Sequence, residues 1–221
     1  MVTLCWAAKG GSGTTVVAAA LALSSQRPSL LVDLDGELPA VLGLPEPDRP
    51  GVAEWLASDT SADHLAELLV DIGPRVWLLP WRSATSAHGR HHVDDHAVRW
   101  STLGHWLHDW SNQWGCDVTV DVGTRVPPEP LAARSDRLLL VTRPCYLSLR
   151  RAVRSGVRPT GVILVDEPGR GLGQRDIEHA IGVPVEAVIS VDPSVARAVD
   201  AGLLASRLPR VMTRALRSAA A

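Results

Sequence analysis

Nine residues near the start of the chain, AAKGGSGTT at 7–15, set three glycines, one lysine and three hydroxyl side chains between two apolar runs. Gly10, Gly11 and Gly13 permit backbone conformations closed to other residues and let main-chain N–H groups approach an anion. A loop of this kind, leaving a strand near Ala7 and opening a helix at Thr14, aims those amides and the positive end of the helix at one point. Phosphate is the natural occupant, with Ser12 inside the loop. Thr15 stands where such loops carry the Ser or Thr whose hydroxyl ligates magnesium. The usual spacing, G-x-x-x-x-G-K-[ST], requires a lysine at 14. Thr14 occupies that place, and Lys9 lies five residues earlier.

Carboxylates follow at spacings that suit the same site. The stretch LLVDLDGE brings Asp33 and Asp35 to the carboxyl end of a second strand, and DVTVDVG brings Asp121 to the end of another. In an open parallel sheet that end is the binding edge. One acid of the first pair can orient the magnesium shell and the other the attacking water, while Asp121 suits a carboxylate that holds metal-bound water. Any one of them alone reads equally well as a solvated strand end.

These residues need a frame, and the chain supplies one. Short runs rich in Val, Leu and Ile alternate with helix-length segments, the pattern of a parallel sheet covered on both faces. Strands are expected at Val2 to Ala7, Leu30 to Asp33, Val76 to Pro80, Asp117 to Asp121, Arg137 to Thr142, Thr160 to Val165 and Val185 to Ser190. Helices are expected at Thr14 to Ser25, Val52 to Ala57, Ala62 to Leu69, Val98 to Trp114, Leu147 to Ser155, Gln174 to Ile181 and Pro193 to Leu203. Asp192 before Pro193 reads as an N-cap followed by a first-turn proline. Leu42 to Gly51, with three prolines, reads as a surface loop. The expected fold is α/β: one domain over residues 1–221, a mostly parallel seven- to eight-stranded sheet with helices on both faces.

Composition narrows the function classes. With 46% hydrophobic and 21% charged residues the chain is globular, and its net charge of -2 gives no general case for wrapping nucleic acid. DNA binding through a local patch at Arg150, Arg151, Arg154 and Arg158 is less favoured than a solvated helix face. Cys5, Cys116 and Cys145 lack C-x-x-C spacing and suit buried thiols in a reducing cytoplasm. No apolar run reaches the roughly 20 residues that span a bilayer. Of 22 basic residues, 21 are arginine, so the sole ammonium, Lys9, is kept inside the glycine loop.

Three other groups stand out. His88, His91, His92, His96, His105 and His108 include i, i+4 pairs that could ligate zinc, although the neighbouring Gly and Ser favour a solvated, partner-facing segment. Trp106, Trp110 and Trp114 repeat at four-residue spacing behind Trp100 and read as core rather than interface. Leu208, Val211, Met212, Ala215 and Leu216 make an apolar stripe flanked by arginines. A terminal helix packed on the sheet explains it better than a membrane-surface helix.

The motifs KGGSGTT, VDLD and VDVG, with DRLLLVTRPCYLSLRRA and VDPSVARAVDAG downstream, resemble the ParA/MinD superfamily of deviant Walker A P-loop ATPases across most of the chain. The resemblance implies ATP and Mg2+ as ligands. It also implies a nucleotide-sandwiched homodimer in which Lys9 reaches the partner's phosphates. Asp35 would then position the hydrolytic water, with Thr15, Asp33 and Asp121 around magnesium. Two departures stand out: Thr14 replaces the family's second lysine, and Asp166 stands where relatives commonly carry an adenine-reading asparagine. An altered lysine at this place resembles the CpaE/TadZ branch. That likeness implies a switch placing a pilus (Tad) or septum complex through a protein partner, with weak or slow ATPase activity. A degenerate scaffold without a nucleotide cycle is the alternative, and a dethiobiotin-synthetase-like ligase would need the lysine at 14.

Overall fold

The computed structural model describes residues 1–82, 97–217 and 219. Eight strands form one sheet: β1 (Val2–Trp6), β2 (Ser29–Asp33), β3 (Val70–Gly73), β4 (Val76–Leu79), β5 (Asp117–Gly123), β6 (Arg137–Thr142), β7 (Gly161–Asp166) and β8 (Val185–Ser190). Their spatial order is β3-β4-β2-β5-β1-β6-β7-β8, and every pairing is parallel except the hairpin of β3 with β4.

The central strands are apolar on both sides because helices cover both faces. Residues alternate strictly: Leu30 and Val32 point to one core and Leu31 to the other, and Leu4 and Trp6 oppose Cys5 in the same way. On the first face lie α3 (Val52–Leu56), a 3-10 helix (Ala62–Leu68), α4 (Ala97–Trp114), α5 (Glu129–Ala132), α6 (Tyr146–Arg154) and α7 (Gln174–Ile181). On the second lie α1 (Thr14–Ser24), α2 (Leu38–Leu42), α8 (Pro193–Asp200) and α9 (Arg210–Leu216). Helix α1 buries Val17, Ala18, Ala19, Ala20, Leu21 and Ala22 together, so its small side chains let it lie close on the middle of the sheet. That explains an apolar run with almost no polar face.

The expected α/β frame is present, with three elements that sequence reading passed over. Strand β3 is short, partly exposed and antiparallel, and its Val-Asp-Ile continues the apolar spacing of the 3-10 helix before it. Helices α2 and α5 span five and four residues with a proline in the first turn, too short for a helical period to register. The stretch 43–51 is a loop as expected, beginning with Gly43 in the left-handed region.

The terminal stripe packs: α9 buries Met212 and Leu216 against α1 and β8 and leaves Arg210 and Arg214 exposed. The tryptophan stripe runs from core to surface. Trp100 is buried, Trp106 and Trp110 stack at 5.2 Å against the core, and Trp114 is 54% exposed. Cys5 and Cys116 are buried free thiols, whereas Cys145 is half-buried. Among the described residues no helix is long and apolar enough to cross a membrane.

Candidate functional site

The glycine loop leaves β1 at Ala7, whose amide donates to the Gly123 carbonyl at 2.8 Å, so the loop is tied at its base to the end of β5. Gly11 and Gly13 have φ of +76° and +89°, in the region that favours glycine, and an added Cβ at Gly10, Gly11 or Gly13 would point into open space. Gly13 is the N-cap of α1 and supplies no side-chain acceptor, and the first turn carries no acid. The first amides of the helix are therefore left for a ligand. The Ser12 hydroxyl donates to the Lys9 carbonyl at 2.8 Å and closes the loop on itself, and Thr14 is buried beneath it. Lys9 is half-buried, and its Nζ donates to its own neighbour's carbonyl, Gly10 O, at 3.2 Å.

The three acids converge at the adjoining strand ends, where Asp33 is the register partner of Asp121. Asp33 is fully buried and its oxygens are taken by main-chain amides: Oδ1 accepts from Asp35 at 3.0 Å and Gly36 at 2.7 Å, and Oδ2 from Leu38 at 3.2 Å. Its visible task is to fold the chain between β2 and α2. Burial pushes its carboxyl up to about 6 against the pull of those amides.

Asp121 is buried as well. Its Oδ1 accepts from the Gly123 amide at 3.0 Å, while Oδ2 is buried without a hydrogen-bond partner. Burial raises its carboxyl to about 7, the Thr15 hydroxyl and the Gly123 amide oppose the rise, and the charges of Asp33 and Asp35 add to it. Asp35 is half-buried and raised by that burial, with Arg125 opposing.

An orphaned carboxylate oxygen beside a threonine hydroxyl, under an uncapped helix end, fits a hydrated magnesium ion carried by phosphates. No group of three or more His, Cys, Asp or Glu among the described residues could hold a metal alone. That is consistent with magnesium's habit of taking one or two carboxylates and the rest of its shell from substrate and water.

Gly123 has φ +65°, and a Cβ there would overlap the Asp35 carboxylate. Gly123→Ala is expected to lower stability by about 1 to 2 kcal/mol from the backbone alone and to push Asp35 out of place, as a urea melt with and without Mg-ATP would reveal.

Asp166 ends β7 half-buried at the same edge, and its carbonyl accepts from the Val191 amide at 2.9 Å. The structure thus brings Lys9, the loop, Thr15 and the three acids together, with Asp166 three strands along from β5. Sequence reading missed Arg125, Gly123 and Trp81. An arginine in a chain with 21 of them carries no signal, and Trp81 belongs to no motif. His88, His91, His92 and His96 lie outside the described residues. His105 is exposed, and the ring of His108 meets the Arg134 carbonyl.

No family model matches the chain, and no curated protein matches it in sequence. Solved structures do. A ParA family ATPase from Chlorobium tepidum TLS superposes with a TM-score of 0.74 at 20% identity, covering 99% of this chain and 96% of that one. The fold is that of the ParA and MinD ATPases. Cell division ATPase MinD from Pyrococcus furiosus gives 0.73 at 21% identity, with 99% and 96% covered. The septum site-determining protein MinD of Pyrococcus horikoshii OT3, solved with Mg-ADP, gives 0.72 at 20% identity, with 99% and 93% covered. In this ParA/MinD-type fold the glycine loop and the acids lie at the carboxyl edge of the sheet, where open α/β sheets bind ligands.

Proposed function

We propose that the chain is an ATP-binding dimerisation switch of the ParA/MinD type, with a glycine loop that has lost its second lysine. The orphaned, buried Oδ2 of Asp121 beside Thr15, facing an uncapped loop and helix end, carries this reading. Main-chain amides of Gly10, Gly11, Ser12, Gly13 and Thr14 would hold the β-phosphate, Thr15 and Asp121 the magnesium, and Asp166 the adenine edge. Magnesium, when bound, draws charge from the phosphate oxygens. Asp33 orders the backbone that carries Asp35, and Asp35 orients water. Lys9 would leave Gly10 O and cross to the phosphates of a second copy.

Support comes from the neighbours' own ligands: Mg-ADP in Pyrococcus horikoshii MinD and ATP in a Cyanothece McdA variant. An Aquifex aeolicus MinD was solved with MinC, a precedent for a protein partner. By the same reading the chain is cytoplasmic and positions a complex, a Tad pilus assembly or a septum site, through that partner. DNA and peripheral membrane contacts are secondary. The exposed arginines of α6 would meet the first and those of α9 the second.

The test is titration of Mg-ATP into wild type and Lys9→Ala while following occupancy and mass by light scattering. Wild type is expected to bind and to dimerise. Lys9→Ala is expected to bind within about threefold of wild type but to need at least roughly tenfold more protein to dimerise, the loss of one charge-assisted contact. A second reading, a non-hydrolysing scaffold, is favoured by Thr14 lying buried where the cation should be. Wild type that takes up no nucleotide at millimolar ATP would reject the switch and favour the scaffold.

A further inference from the structure

We infer that Arg125 supplies, from within the same chain, the positive charge on the terminal phosphate that the glycine loop lacks at Thr14. The inference rests on the nucleotide reading above and adds to it a residue and a selectivity.

The geometry begins at the hydrogen bond between Ala7 and the Gly123 carbonyl, which joins the root of the loop to the end of β5. Arg125 lies two residues beyond that junction. Gly123, turned at φ +65°, leaves room only for the Asp35 carboxylate against it. Trp81 roofs the same spot: its ring comes within 3.5 Å of where a Gly36 Cβ would stand, and the Arg125 guanidinium lies over it at 5.0 Å. One aromatic ring therefore touches both the residue after Asp35 and the cation two residues after Gly123.

The charges agree with the geometry. Asp33, Asp35 and Asp121 gather at this edge, and Arg125 is the cation that acts on Asp35. Among the described residues it makes no ion pair within salt-bridge distance. It is exposed and rests on an aromatic face, a contact weak enough at the surface to be exchanged for a phosphate. The amine of Lys9 is turned back on Gly10 O and, on the proposed function, serves the phosphates of a second copy.

A guanidinium differs from the missing lysine in what it can do. Its planar fork takes two oxygens of one phosphate, which suits a terminal group with three free oxygens. Arg125 comes from the β5 side of the site, whereas a lysine at 14 would come from inside the loop. The arrangement should therefore read the γ-phosphate and leave the β-phosphate to the loop amides.

The experiment is calorimetric titration of Mg-ATP and Mg-ADP into wild type, Arg125→Ala, Arg125→Lys, Thr14→Lys and the Thr14→Lys/Arg125→Ala double variant. Arg125→Ala is expected to lose about tenfold or more in ATP affinity, one charge-assisted contact, with ADP changed less than threefold. Arg125→Lys should retain part of the ATP affinity, and Thr14→Lys should restore most of what Arg125→Ala loses. The loss should also persist in a Lys9→Ala background, since the charge is supplied within one chain. Equal ATP affinity in wild type and Arg125→Ala, equal losses for both nucleotides, or a loss that vanishes in the Lys9→Ala background would each overturn the inference while leaving nucleotide binding intact. Wild type binding neither nucleotide would reject the parent reading and this one with it.

Discussion

Asp121→Asn is expected to make the nucleotide-free protein more stable at pH 8 and to leave its stability almost unchanged at pH 4. Burial lifts the Asp121 carboxyl from 3.8 to about 7. An acid whose pKa is higher folded than unfolded binds more protons in the folded state between those two values, so stability falls as pH rises through that window. Below about pH 4 both states are protonated and the penalty is absent. Above about pH 7 both are charged and the penalty is complete. A rise of about three pKa units corresponds to about 4 kcal/mol; because Asp33 and Asp35 share the same field, about 2 to 4 kcal/mol is the expected gain. Urea melts of both proteins at pH 4, 6 and 8 without magnesium would measure it. A variant less stable than wild type at pH 8 would refute the account, and so would an equal gain at pH 4. On the proposed reading, in which Asp121 takes the magnesium, Mg-ATP should no longer raise the melting temperature of the same variant.

Thr14→Lys is expected to tighten Mg-ATP binding by about ten- to a hundredfold, since a charge-assisted contact to phosphate contributes about 1.5 to 3 kcal/mol. Position 14 opens α1 beneath the open face of the loop, where the first helical amides have no side-chain cap. Any slow hydrolysis should accelerate more than binding improves, because a cation there also meets charge that develops in the transition state. Phosphate release and calorimetry on the two proteins would separate the effects. No gain in Thr14→Lys, together with no restoration in the Thr14→Lys/Arg125→Ala double variant, would mean that a charge at 14 does not meet the phosphates in this loop.

The chain alone determined the frame and the chemical theme. Alternation of buried strands with helical segments is local and periodic, so β1, β2 and β4 to β8 could be read from Val, Leu and Ile runs, and the glycine loop from spacing within nine residues. Asp33 and Asp35 at the end of β2 and Asp121 near the end of β5 were legible because strand ends in such sheets share an edge. The elements that escaped lack a clear local signal: β3 is partly exposed and antiparallel, and α2 carries a proline in its first turn. Burial decided the rest, and burial is a tertiary property. It made Asp33 a keeper of main-chain amides and left an Asp121 oxygen without a partner, although the two acids look alike as strand-end carboxylates. Residues far apart in the chain, Asp35, Trp81, Gly123 and Arg125, meet only because β2 and β5 are neighbours in the sheet while Trp81, just beyond β4, lies against Gly36 and Arg125. No spacing rule connects such positions, since the distance between them is set by how the strands are ordered and not by how many residues separate them.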